Sequence, residues 1–142
     1  MSNASGKTPG LILGLPLPVP LRVAMAAGRW VAPADHRLIS DVFADDVGRP
    51  CFYGPAGIEH ETLNLIKMHR DYQPYYVGIP PDDIDLNLCL LIGDLGPDQP
   101  FALDYRRSAV SPPVLYLRGH GWTEVAANVE TLMARLRMSS TA

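Results

Sequence analysis

The stretch "IGDLGPDQPFALDYR", residues 92 to 106, concentrates carboxylates: Asp94, Asp98 and Asp104 stand beside Tyr105, Arg106 and Arg107. Two carboxylates at a fixed gap across a cleft can do glycosidase-type acid–base work. Asp is equally a turn residue, because its side chain bonds to nearby backbone N–H groups. Asp94 and Asp98 sit among Gly93, Gly96 and Pro97, so a turn is expected there. Asp104 and Arg106 are two apart in an alternating segment, which predicts that they leave one strand face together as an ion pair. This spacing favours turn and scaffold over catalysis.

Other motifs fail on their spacing. "SGKT" at 5–8 echoes the end of a phosphate loop, but the first glycine of that motif would fall on Met1, no strand precedes it and Pro9 follows. "HRD" at 69–71 echoes a kinase catalytic loop, yet Tyr76 stands where the loop needs Asn. "DDIDLN" places Asp83, Asp85 and Asn87 at the alternate positions of a calcium loop. Leu88 takes the place of its turn glycine, however, and Asp94 the place of its closing Glu. His36, His60, His69 and His120 form no pair spaced to share a metal on one helix face, and "EHE" at 59–61 is not H-E-x-x-H. Ser40, Ser108, Ser111 and Cys51 have no base and orienting group within sequence reach, as a nucleophile requires. No catalytic residue, metal or cofactor is therefore expected. Cys51 and Cys89 lie next to apolar residues, outside any C-x-x-C pair, and read as two buried reduced thiols of a cytoplasmic protein.

The elements that must position these residues follow from periodicity and punctuation. A chain of 142 residues is one domain, long enough to bury a core. The net charge of -3, with the arginines scattered, argues against nucleic acid. There are 14 prolines, and Pro16, Pro18 and Pro20 hold "GLPLPVPLR" extended before a helix. Those rings and Arg22 also spoil the run as a signal peptide or a membrane span. Residues 1–14 are expected to be a flexible tail, with "MSNASGK" a polar native end or in part a tag scar, and a single domain over 15–138.

"LRVAMAAG" predicts a helix closed by Gly28, and "PADHRLISDVFADD" a second, with Leu38, Ile39, Val42 and Phe43 on one face. A brief strand is expected at 51–53, a third helix over "PAGIEHETLNLIKMHR", and a further short strand at 75–77. "LNLCLLIG" is unbroken apolar sequence, the pattern of a strand covered on both faces. "FALDYR", "PVLYLRG" and "GWTEVA" are strands separated by short Gly and Pro turns, so neighbours run antiparallel. "NVETLMARLRM" is an amphipathic closing helix. Helices, then strands, then a helix make an α+β fold: a mostly antiparallel sheet of four to six strands with N-terminal helices and a C-terminal helix packed on it.

In order, "IGDLG", "PFALDYR", "PPVLYL" and "GWTEVA", together with "LPLPVPLRVAMAAGRW" near the start, resemble the SUKH superfamily of bacterial toxin-immunity proteins and relatives of yeast cell-wall-assembly regulators. The resemblance covers residues 15–30 and 91–136, and it makes Trp30, Gly93, Asp94, Asp104, Tyr105, Arg106 and Trp122 a structural signature. It implies a single α+β domain, no catalysis and a protein partner such as a secreted toxin, often a nuclease. For such a partner the exposed acidic and aromatic candidates are Tyr75, Tyr76, Asp82, Asp83 and Asp85. No membrane is expected, and the chain is expected to be a monomer or weak dimer. Two other readings stay open: a small hydrolase or ligand-binding protein whose carboxylates and histidines meet only in space, and a regulatory adaptor.

Overall fold

The computed structural model describes residues 10–72, 83–119 and 121–138. Its first element is unexpected. β1 (Leu11–Ile12) and β2 (Leu15–Pro16) pair antiparallel across a two-residue turn in which Leu13 and Gly14 both have positive φ. A turn of that hand matches the twist of its strands. Ile12 is buried in the core, and the Tyr105 hydroxyl donates to the Pro16 carbonyl at 2.7 Å. Residues 10–14 are thus part of the fold, which corrects the expectation of a tail reaching to residue 14.

Pro18 then stands before α1 (Val19–Ala26), with Pro20 in the first turn, where a missing N–H costs nothing. The helix closes at Gly28, whose φ of +71 puts it in the left-handed region, and Leu21 and Ala24 face inward. α2 (His36–Phe43) starts later than Pro33 suggested. The Asp35 carboxylate accepts the N–H groups of Arg37 at 3.0 Å and Leu38 at 3.3 Å and fixes the start. Ile39 and Phe43, one turn apart, are fully buried.

β3 (Cys51–Phe52), β4 (Cys89–Asp94), β5 (Pro100–Asp104), β6 (Val114–Arg118) and β7 (Gly121–Ala126) form one sheet in that order, every pair antiparallel. α3 (Pro55–Tyr72) separates β3 from β4, and α4 (Val129–Arg135), capped by the Asn128 side chain on the Thr131 N–H, follows β7. The protein is a single-domain α+β fold. No helix among the described residues is long and apolar enough to cross a membrane.

Alternation splits the sheet into two faces. Leu90, Ile92, Phe101, Leu103, Val114 and Tyr116 join Leu21, Ile39, Phe43 and Leu132 of the helices in the main core. Phe43 sits between Phe101 and Tyr116, at ring separations of 5.0 Å and 5.2 Å. Cys89, Leu91, Ala102 and Leu115 form a second cluster with Ile84, flanked by Leu65, Leu86 and Trp122. β4 is covered on both sides, as its unbroken apolar run predicts.

α3 lies along the edge of β4 that the two-residue β3 leaves bare. Ile58 joins the main core, Leu65 the second cluster, and the Thr62 hydroxyl between them accepts the Leu91 N–H at 2.9 Å. The outer strand β7 is treated alike: the Asp83 carboxylate accepts the Trp122 N–H at 2.7 Å, and the Arg135 guanidinium donates to the Val125 carbonyl at 2.6 Å. Side chains thereby occupy edge groups that a second strand would otherwise use.

Two local expectations change. Cys51 is exposed and only Cys89 is buried, because the short edge strand turns Phe52 toward the core and leaves its neighbour outside. The Asp104–Arg106 pair exists, with the guanidinium at 2.9 Å, but β5 ends at Asp104. The pair comes from a turn in which the Asp104 carboxylate also accepts the Arg106 N–H at 3.1 Å, rather than from strand alternation.

Candidate functional site

One face of α3 carries Glu61, Asn64, Leu65 and Met68, the i, i+3, i+4, i+7 spacing of a single helix surface. This surface overlooks a groove of about 890 Å³. Leu91 of β4, Leu117 of β6 and Trp122 of β7 line it from the sheet, and Ile84 and Leu86 from the segment before β4. The turn from Gly96 to Pro100, with Arg49 and Tyr53, closes the other end.

That turn carries an acid at its tip. The Gln99 N–H returns to the Gly96 carbonyl at 3.2 Å, with Pro97 and Asp98 between them and Asp98 at a φ of 61°. Proline followed by a residue of positive φ is the pattern of a type II turn, where glycine is the usual second residue.

The polar groups toward the interior are already bonded. The Tyr53 hydroxyl donates to the Asp94 carboxylate, and the Trp30 indole N–H holds the Tyr53 carbonyl at 3.0 Å. Burial, and then the bond to Asp94, push the Tyr53 hydroxyl well above the ordinary tyrosine range. Gln99 donates to the Asp46 carbonyl at 2.8 Å and to the Tyr116 hydroxyl at 3.0 Å. Asp83 is taken by Trp122, and its carbonyl accepts from Arg106 at 2.9 Å. Glu61 and Asp98, by contrast, make no hydrogen bond or ion pair among the described residues.

Of the residues singled out from sequence, His69, Asp83, Asp94, Asp98 and Trp122 line the groove. Asp83 does so with one carboxylate oxygen bonded to the Trp122 N–H at the sheet edge. Asp85 is bound locally, accepting the Asn87 N–H at 2.9 Å. Tyr75, Tyr76 and Asp82, and the short strand expected at 75–77, lie outside the described residues. Trp30, Gly93 and Tyr105 are core residues, and Asp104 with Arg106 ties off the end of β5. Sequence reasoning passed over Tyr53 and Met68, met Glu61 only within "EHE", and read Asp98 as a turn residue. The signal for Glu61 and Met68 was the polar–apolar face of α3 at 61, 64, 65 and 68.

Asp94 and His69 line the same groove, but Asp104 does not join them. Among the described residues no group of three or more His, Cys, Asp or Glu could hold a metal ion. Burial, and then the charge of Asp104, raise the Cys89 thiol to about 12, far from a reactive thiolate. The exposed Cys51 thiol is also raised, first by partial desolvation and then by Asp94 and Glu61.

A pH test follows from the network behind Gln99. The Tyr116 hydroxyl donates to Asp45 at 2.6 Å and, with the Asp46 N–H, holds that carboxyl below its usual range. Stability from a depressed carboxyl is present above its unfolded value and is lost as pH falls through the lower folded one. Tyr116 itself is pushed from 10.0 to about 12, by burial and then by Asp45. Its contribution is complete below 10.0 and is lost as pH rises toward 12. Tyr116→Phe is expected to flatten both limbs of the curve of urea midpoint against pH. Parallel curves for parent and variant would show that the pair does not couple to folding.

Comparison of the chain with known protein families, with curated proteins and with solved structures found no match.

Proposed function

We propose that the chain is a non-enzymatic protein-binding domain of SUKH type, acting in the cytoplasm as an immunity protein that receives a partner toxin in the groove beside α3. The observation that carries this reading is the state of the groove's side chains. Its walls are largely apolar, and Tyr53, Asp94, Gln99 and Asp83 are bonded within the protein instead of being presented to a reacting atom. A general base or nucleophile needs a free proton-accepting partner in reach. Docking needs preformed shape and an apolar centre.

The competing reading, a small hydrolase, draws on Asp94 and His69 sharing the groove. The bond from Tyr53 to Asp94 weighs against it, since it occupies an oxygen such a base would use.

Met68 supplies the test. It is 42% exposed, so a change there leaves the core intact. Co-expressed with the product of the adjacent gene, the parent protein should elute with it as a stoichiometric complex. Met68→Arg, which fills the groove with a charged stem, should weaken that complex by at least about tenfold, a loss of ~1.4 kcal/mol. A complex indifferent to Met68→Arg would place the interface elsewhere.

A further inference from the structure

The charge in the groove is one-sided. Among the described lining residues, Glu61, Asp83, Asp94 and Asp98 face a single arginine, Arg49, and His69. Asp83 and Asp94 are each bonded through one oxygen, to the Trp122 N–H and to the Tyr53 hydroxyl, and Glu61 and Asp98 make no hydrogen bond or ion pair among the described residues. Asp94, Glu61 and Asp98 gather at one end. Asp94 and Glu61 both act on the Tyr53 hydroxyl and on the Cys51 thiol, so they flank the same spot, and Asp98 stands on the turn that closes that end.

The rest of the groove is apolar. Leu65, Leu86 and Trp122 pack on the second cluster, and Met68 is exposed beside them. A cleft with one sign of charge and low-dielectric walls concentrates its field on a ligand of the opposite sign. Side chains with an aliphatic stem and a charged head match such a site, stem on the apolar wall and head among the acids.

Resting on the groove as the docking site, we propose that the partner enters it with an extended segment carrying a lysine or arginine next to an apolar side chain. The cation sits among Glu61, Asp94 and Asp98, and the apolar side chain rests on Leu65, Leu86 and Trp122. Complementary charge of this kind fixes register and speeds association.

Fluorescence anisotropy with short labelled peptides tests this. The probe alternates leucine and lysine; one control alternates leucine and glutamate, the other serine and lysine. Saturable binding of the leucine–lysine probe is expected, with both controls at least about tenfold weaker. Glu61→Gln combined with Asp98→Asn should weaken that probe by about tenfold and leave the urea midpoint unchanged, because neither carboxylate makes a hydrogen bond or ion pair among the described residues. Equal binding of the leucine–glutamate control, no binding of the leucine–lysine probe, or a double variant that binds like the parent would each overturn the proposal. So would self-association of the protein that Met68→Arg abolishes, since the occupant would then be a second copy. The two readings fail separately. A partner complex lost in Met68→Arg but untouched by the double variant removes only the cation, whereas a complex that survives Met68→Arg removes the groove and this inference with it.

Discussion

Gly93→Ala is expected to destabilise the protein by roughly 2–3 kcal/mol, the cost of forcing extra volume into a packed core. A Cβ on Gly93 would fall 2.5 Å from Cζ and 2.7 Å from Cε1 of Phe101, and 2.9 Å from the Cys51 carbonyl oxygen. None of these neighbours can withdraw easily. Phe101 is fully buried and wedged between Phe43 and Phe52, at ring separations of 5.0 Å and 5.3 Å. The carbonyl belongs to β3, which pairs with β4 through the register Cys51 to Asp94 and Phe52 to Gly93. The β4–β5 register also shifts between Leu91 and Gly93, so the strand is already irregular there. Relief by moving β3 would carry Tyr53 away from Asp94 and open the acid end of the groove. Urea unfolding measures the cost. Gly48→Ala is the control, because its nearest contact, the Leu95 carbonyl, is 3.5 Å away and within ordinary range. Equal midpoints for the two variants would show that the β3–β4 junction is softer than its packing implies.

Much of this frame was legible because local signals agreed with the global fold. β4 is an unbroken apolar run, β5 to β7 are marked off by short Gly and Pro turns, and Gly28 and Asn128 mark a helix end and a helix start. The β1–β2 hairpin was hidden for a physical reason. Leu13 adopts a left-handed backbone that its residue type disfavours, and two-residue strands are too short to show a period. The start of α2 was misplaced because Pro33 is a weaker local signal than the Asp35 carboxylate that fixes it.

The groove was less legible than the fold. Its acids come from α3, the end of β4 and the turn after it; along the chain Glu61 looks like ordinary surface, and Asp94 and Asp98 look like turn residues. Asp83 reads as a solvated acid until the fold brings it to the Trp122 N–H, 39 residues away. Asp104 and Arg106 carry the most conspicuous charge pattern, yet they bond to each other and leave the groove to residues with no motif. A site made by surface shape and unspent charge leaves little trace in spacing, whereas a metal or nucleophile site must.

Thr62→Val should cost about 1–3 kcal/mol although it preserves side-chain shape, because it strands a buried donor. Thr62 is fully buried, and its hydroxyl is the acceptor for the Leu91 N–H. β3 reaches only Asp94 and Gly93 on β4, so Leu91 has no strand partner on that side. Valine fills the space and supplies no acceptor, which leaves the N–H dry. Thr62→Ser keeps the acceptor and loses one methyl group, a cost of about 1 kcal/mol. Amide exchange distinguishes the causes: the Leu91 amide should exchange faster in Thr62→Val than in Thr62→Ser, beyond what the difference in global stability explains. Exchange at Leu91 that merely tracks global stability would mean that the hydroxyl contributes packing alone. The same bond sets the register of α3 on the sheet, with Glu61 beside it and Leu65 just under one turn on. Thr62→Val should therefore also weaken groove ligands, although Thr62 itself does not line the groove, because the acid and the apolar wall are positioned by one helix that this hydroxyl pins to β4.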